Sequence, residues 1–288
     1  MLTVAHPHLL IVGCGDIGVR VGSSLQSQGW KISGMRRRAD QLPETFSAIP
    51  GDYTKAADLA GLSELCPDYL LFTPTPTSRD ESGYWEGFDQ SVRTLLAGGI
   101  IKSLRGGVMI SSTRVFAEKS GGWVDETAAI TTDDPCADAI FSAEQQFIGG
   151  IPAATVYRAS GLYEGSPKGH LVSRVSSGAF SADPNRYSNR IHREDLARAV
   201  EFALLRAEQG QPLTGCYVAS DDKPAAIGEV EAWLADRLGV TYDPVVAVNE
   251  DKGFRGNRRC DNARLREAGF VFRYPDYRAG YAQLCRDE

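Results

Sequence analysis

Leu9-Leu10-Ile11-Val12-Gly13-Cys14-Gly15-Asp16-Ile17-Gly18 decides the reading of this chain. An apolar run leads directly into G-x-G-x-x-G, and Ile17, Val21 and Leu25 then recur every four residues until Gly29 ends the helical pattern. Each glycine has its own task. Gly13 permits the tight turn from strand to helix, Gly15 lets a pyrophosphate approach the main chain, and Gly18 lets the helix pack close to the strand. Phosphates would lie against Gly15, Asp16, Ile17 and Gly18, where the first amides of the helix lack partners and its dipole is positive. The bland reading is a Gly-rich turn of some other α/β protein; the strand before it and the helix after it favour dinucleotide binding.

Outward from that stretch, strand and helix patterns alternate. Apolar runs occur at 9–13, around 30–35, at 69–72, at 107–111 and at 154–158, with helical patterns between most of them. Such alternation predicts an α/β fold, a Rossmann-type doubly wound parallel sheet with its ligand crevice at the carboxyl ends of the strands. The second half changes character. Residues 163–190 are rich in Gly, Ser, Pro, Asn and Arg and read as a long irregular segment. Helical spacing returns at Leu196, Ala199, Val200, Ala203 and Leu204, and again at Ile227, Val230, Leu234 and Leu238. The expected organisation is a dinucleotide-binding domain over 1–162, with 186–212 returning to it. A smaller C-terminal substrate-binding lobe would comprise 163–185 and 213–288.

Composition narrows the partners. The chain has 288 residues, is 42% hydrophobic and 24% charged, and carries a net charge of −6. That is the balance of a globular protein with a sizeable core, and it argues against nucleic acid or a membrane surface as partner, since both favour a basic face. The six cysteines form no C-x-x-C pair, so neither a disulfide framework nor a zinc site is expected, and a reducing cytoplasm fits best. Met1 to His8 is too polar and short for a signal peptide, no stretch approaches a membrane span, and no histidine–carboxylate cluster points to a metal.

Which nucleotide is expected follows from the end of the second strand. A carboxylate there would hydrogen-bond the 2′-hydroxyl of NAD, whereas arginine accommodates the 2′-phosphate of NADP. After Gly34-Met35 the chain has Arg36-Arg37-Arg38 and no acid. The planar guanidinium fork suits phosphate, so Arg36 and Arg37 favour NADP over NAD, against the alternative of a solvated basic turn. Asp52 and Tyr53, in Gly51-Asp52-Tyr53, follow a third strand; Asp52 either accepts from the adenine amino group or simply caps a turn. Thr73, Pro74 and Ser111, at the ends of later strands, complete the expected cofactor contacts.

Five segments, in order and spacing, resemble the extended short-chain dehydrogenase/reductases, in particular the NAD-dependent epimerase/dehydratase family. They are Gly13 to Gly18, Gly51-Asp52-Tyr53, Ser111-Ser112-Thr113-Arg114-Val115-Phe116, Arg158-Ala159-Ser160-Gly161-Leu162-Tyr163, and Asn189-Arg190-Ile191-His192-Arg193-Glu194-Asp195. The resemblance spans roughly residues 8–280. One departure lies in the first segment, where the family's G-x-x-G-x-x-G would need a glycine at Val12. The resemblance implies a small-molecule substrate such as a nucleotide sugar, and homodimers through two helices.

It also implies a catalytic Ser or Thr on the fifth strand and a Tyr-x-x-x-Lys on the next helix, the lysine lowering the tyrosine pKa. Ser112 matches the first, or it merely ends a strand and bonds a turn. The pair is missing. Aligning Pro135 and Glu144 with the family pattern puts Cys136 in the tyrosine place and Ile140 in the lysine place. Independently of that alignment, no tyrosine occurs between Tyr84 and Tyr157, and no lysine between Lys119 and Lys168. Cys136 is an acid or an inert core residue; Tyr84, in the loop over the nicotinamide, and Tyr163, after the sixth strand, are crevice or packing residues. His192 resembles a structural hydrogen-bonding site. Arg255, Arg258 and Arg259 either meet a substrate pyrophosphate or form a solvated basic stretch. Two functions therefore compete: an NADP-dependent epimerase/dehydratase-like enzyme with an altered proton donor, or a non-catalytic NADP-binding redox sensor.

Overall fold

The computed structural model describes residues 6–244 and 256–285. Its backbone divides into two compact units, one of residues 1–115, 131–158 and 196–217, the other of 116–130, 159–195 and 218–288.

The first unit is built on parallel strands. In chain order they are β1 (His8–Val12), β2 (Lys31–Arg36), β3 (Ser47–Pro50), β4 (Tyr69–Phe72), β5 (Gly106–Ser112), β6 (Ala154–Ala159) and β7 (Gly215–Ala219). They lie in the order β7-β6-β5-β4-β1-β2-β3. The pairs β1–β2, β1–β4, β2–β3 and β4–β5 are parallel, with Val12 opposite both Met35 and Phe72. The chain reverses its winding between β1 and β4, and that switch point opens the ligand crevice of such sheets. Leu9, Leu10, Ile11 and Val12 are fully buried, as are all residues of β4, because helices cover both faces and leave no room for polar alternation.

Helix α1 (Asp16–Ser27) follows β1 and buries Ile17, Gly18, Val21, Gly22 and Leu25. A Cβ on Gly18 would stand 2.8 Å from Ile11 Cγ2, so helix and strand are closer than any other residue allows. Gly29, at φ +89°, turns the chain into β2. Helix α2 (Pro135–Gly150) starts with Asp134 as N-cap, accepting from the Cys136 N–H at 3.2 Å, and has proline at its first position. Ile140 and Phe147 are buried on its inner face, as the periodicity predicts.

Behind the sheet the core holds an ion pair. Arg158 on β6 donates to Glu144 of α2 at 2.8 Å, with both side chains buried, and Ser111 donates its hydroxyl to the same carboxylate at 2.5 Å.

The second unit differs from its sequence reading. Residues 163–190 are not irregular throughout, because helix α3 (His170–Ser176) buries Val172 and Val175. The short segment Gly161–Tyr163 pairs in parallel with Arg190–His192, and Trp123–Val124 with Arg259–Cys260. Helix α4 (Ile227–Arg237) carries Val230, Leu234 and Ala235 into an apolar core with Tyr163, Val172, Val175, Tyr277 and Tyr281. Gly and Ser near α3 hid its i, i+3 spacing. No helix among the described residues is long and apolar enough to cross a membrane.

Replacing Arg158 by Met should cost about 3–5 kcal/mol in urea unfolding, because the Glu144 charge stays buried without its partner. The double change Arg158→Met, Glu144→Met should recover most of that loss. A single variant as stable as the wild type would show that the pair carries no such constraint.

Candidate functional site

The loop after β1 is held from two sides. The Gly13 and Cys14 amides donate to Met35 O on β2 at 3.1 and 2.8 Å, and Thr73 Oγ1, just past β4, donates to Gly13 O at 2.5 Å. Gly13 has φ +81°, and a Cβ there would meet Thr73 O at 2.8 Å. Gly15 is the N-cap of α1, and its carbonyl accepts from Val19 at 2.9 Å. A Cβ on Gly15 would have only Gly13 O near it, at 3.8 Å, so the side that a pyrophosphate would approach is open. The Asp16 carboxylate pairs with Arg20 at 3.1 Å, and the Ile17 side chain is buried. What Asp16, Ile17 and Gly18 offer an anion is thus their first-turn main chain.

The other expected cofactor residues gather at neighbouring strand ends. Arg36 is the last residue of β2, and its Nη2 donates to Gln41 Oε1 at 3.0 Å. Gly51 N–H bonds Arg36 O, which brings the Asp52 segment alongside. Asp52 Oδ1 accepts from the Thr54 amide at 3.1 Å and hydroxyl at 2.9 Å, the turn-capping geometry. Burial pulls the Asp52 carboxyl up, but those bonds and the nearby Arg37 charge hold it below the usual range. Tyr53 donates to Thr75 O at 3.1 Å, accepts from Thr75 N at 2.9 Å, and sets its ring edge-on to Phe72. Pro74 is buried. Ser111 departs from expectation: alternation along β5 turns it inward to Glu144, while Ser112 points to the other face.

Ser112 is half-buried, and its Oγ accepts from the Arg114 N–H at 3.1 Å. The Arg114 guanidinium grips Asp134 with Nε and Nη2 at 2.6 and 2.9 Å and lies 4.8 Å from the Tyr84 ring centroid. Cys136, two residues past Asp134, is buried. Burial pushes its thiol up, with the Arg114 charge only partly offsetting this, so it is a poor proton donor near neutrality. Tyr84, Ser112, Arg114, Asp134 and Cys136 therefore form one cluster at the carboxyl end of β5. Arg114 and Asp134 were not singled out in the sequence, although Asp134-Pro135 is a helix-start signal.

Four predicted residues fall in the second unit. Tyr163 lies in the apolar core, edge-on to His192, with its hydroxyl given to Asp276 O at 3.2 Å. His192 stacks on Tyr274 at 3.8 Å. Around it, Asn189 clamps Arg258 O and Cys260 N, and Asp195 accepts the amides of Arg273 and Tyr274, so this motif fastens the C-terminal chain. Arg258 and Arg259 are not a solvated stretch. Arg258 is buried and donates to Phe116 O at 2.8 Å, and Arg259 lies between the Trp123 and Tyr187 rings at 5.1 and 4.9 Å. Arg255 lies outside the described residues.

Basic groups collect elsewhere in this unit. A cavity of about 550 Å³ is lined by Lys168, His170, Arg174, Arg186, Arg190 and Arg193, with Glu164 as its carboxylate. Arg174 is paired with the fully buried Glu231. Arg190 is buried, and its guanidinium lies near Asp221. Burial pushes Asp221 up to about 8, though the Arg190 charge pulls it back, so at neutral pH this neighbour is largely uncharged. Arg174, Arg186 and Arg190 sit in the segment read as irregular, where nothing in the residue spacing placed them together.

Asp221 sets a testable pH dependence. The folded chain keeps this proton up to about pH 8, whereas an unfolded aspartate releases it near about 3.9. The native state therefore binds more protons in that window, and its contribution to stability is lost as pH rises. Melting temperatures across pH 5–8 should fall more steeply for the wild type than for Asp221→Asn. Parallel curves would disprove the assignment.

No family model matches this chain, and no curated protein does. Solved structures do. A provisionally assigned NAD-dependent epimerase/dehydratase from Methylobacillus flagellatus is 27% identical with a TM-score of 0.81, over 97% of this chain and 98% of that one. A conserved protein of unknown function from Silicibacter pomeroyi is 25% identical with a TM-score of 0.72, over 98% and 99%. The UDP-glucose 4-epimerase of Thermus thermophilus, in complex with NAD, is 16% identical with a TM-score of 0.76, over 97% and 99%, a likeness of fold alone.

Proposed function

We propose that this chain, whose fold is that of the extended short-chain dehydrogenase/reductases, is an NAD(P)-dependent oxidoreductase of the epimerase/dehydratase kind that prefers NADP. The observation that carries the reading is the β1–α1 loop: a left-handed Gly13, an open Gly15 and a close-packed Gly18 at the switch point. These residues fit a dinucleotide. Gly15, Asp16, Ile17 and Gly18 would hold its pyrophosphate, Arg36 and Arg37 its 2′-phosphate, and Tyr53 and Thr73 the walls beside them. The nicotinamide, when bound, supplies hydride chemistry.

A nucleotide sugar or related phosphorylated carbohydrate is the proposed substrate. Supporting this, the cavity of the second unit is lined by several cations, of which Arg174 is paired with Glu231 and Arg193 with Glu164, and guanidinium forks suit phosphate oxygens. That cavity takes over the role first given to Arg258 and Arg259, whose guanidinium groups are committed to packing. In domain terms, residues 1–162 with 186–212 would hold the cofactor, and 163–185 with 213–288 the substrate. The absent Tyr-x-x-x-Lys pair favours a second reading, a redox sensor that binds the nucleotide without turning over.

Saturating NADP should raise the melting temperature more than NAD at equal concentration; a ligand at 100 times its Kd adds about 2.7 kcal/mol. Arg36→Asp should reverse the order. Equal or NAD-favouring stabilisation would remove the arginine argument, and no calorimetric heat with either nucleotide would remove the reading itself. NADPH consumption with 9,10-phenanthrenequinone as the carbonyl probe supports the enzyme; binding without turnover across a carbonyl panel supports the sensor.

A further inference from the structure

We propose that Tyr84, seated against the guanidinium of Arg114, is the catalytic residue that exchanges a proton with the substrate oxygen, in place of the missing tyrosine–lysine pair. This rests on the oxidoreductase reading above.

Position is the first argument. Tyr84 closes the short helix Glu81–Tyr84, capped by Asp80, and the chain runs straight on into a π-helical turn, Trp85–Gln90, before the helix Ser91–Ala97. Such π turns concentrate at functional sites. Two glycines press this helical run onto the loop that leaves β4. A Cβ on Gly83 would meet Ser78 N at 2.3 Å, and one on Gly87 would meet Thr75 O at 2.2 Å. Tyr84, between them, is therefore held against the loop that leaves the carboxyl end of β4.

The surroundings of the ring are the second. Phe88 stacks on it at 5.8 Å and an interplanar angle of 9°, and the Arg114 guanidinium lies 4.8 Å from its centroid. Asp134 fixes that guanidinium with two hydrogen bonds, while the Arg114 main chain holds Ser112 Oγ. One residue thus bonds a serine hydroxyl through its main chain and sets a permanent positive charge over one phenol ring through its side chain, since arginine does not release its proton.

Availability is the third. Tyr53 is bonded to Thr75, Tyr69 to Glu208 and Tyr157 to Ala199 O. Tyr84 is half-buried, and its hydroxyl has no hydrogen-bond partner among the described residues. Cys136 is excluded by its burial, Tyr163 by its place in the apolar core.

In the reducing direction the phenolic O–H bond breaks and an O–H bond forms on the substrate carbonyl oxygen. The electron pair that arrives on the carbonyl carbon as hydride comes from a reduced nicotinamide dinucleotide. The phenolate left behind is stabilised by Arg114 and takes a proton back from water. Oxidation runs the same exchange in reverse. Arg114 acts through Tyr84 and Ser112 and is a positioning residue.

The test is acetylation of tyrosine hydroxyls by N-acetylimidazole, read residue by residue by mass spectrometry on the full chain, with calorimetry of NADP⁺ in parallel. Tyr84 should be modified in the free protein, and that modification should be lost when NADP⁺ is bound. Tyr84→Phe keeps the ring against Phe88 and Arg114, so melting temperature and the Kd for NADP⁺ should stay unchanged. Its kcat for NADPH with the quinone should fall about 10²–10⁴-fold. Tyr84 equally acetylated with NADP⁺ demonstrably bound, or Tyr84→Phe turning over at the wild-type rate, overturns the proposal and leaves the oxidoreductase reading standing. Absence of any NADP⁺ heat overturns that reading instead.

Discussion

Gly13 binds three strands into one site. Its left-handed backbone lets its amide reach Met35 O while its carbonyl takes the Thr73 hydroxyl. The ends of β1, β2 and β4 are thereby drawn together at the point where the sheet reverses its winding. A side chain at this position would collide with Thr73 O and be forced into a backbone region that costs about 1–2 kcal/mol. The open main chain at Gly15 and the close helix at Gly18 depend on that anchor, and so does any phosphate held there.

Around β5 two adjacent serines face opposite ways. Ser111 faces inward to Glu144 and Arg158, and Ser112 faces outward to Arg114. Helix α2 joins both: Glu144, within it, completes the buried pair, and Asp134, at its cap, completes the outer one. With the cap and the middle of the helix fixed by charge-assisted bonds, position 136 holds a small buried thiol. The proposed proton donor, Tyr84, lies instead on the helical run that follows β4.

Much of the fold was legible because it is periodic. Five apolar runs coincide with β1, β2, β4, β5 and β6, and the helices after β1 and around Leu196 and Val230 match their spacing. Helix α3 was not legible, since a single seven-residue helix flanked by Gly and Ser has no sustained period. The residues proposed for the cofactor could be placed from spacing for the same local reason: the loop, Arg36 and Asp52 each lie at a strand end or within a few residues of one. Arg258 and Arg259 misled because a run of arginines looks solvated, yet a buried carbonyl and two aromatic rings take their guanidinium groups.

By itself the sequence determined the α/β alternation, the glycine loop, the arginines from the end of β2 onward and the absence of any tyrosine between Tyr84 and Tyr157 or lysine between Lys119 and Lys168, since each is a matter of order and spacing along the chain. Only the tertiary structure decided that Ser111 faces the core, that Arg114 joins Ser112 to Tyr84, and that cations from α3 and the segment after it line one cavity. Ser111 with Glu144 and Arg114 with Tyr84 are meetings between separate elements, and spacing carries no information about which side chains a fold brings together there.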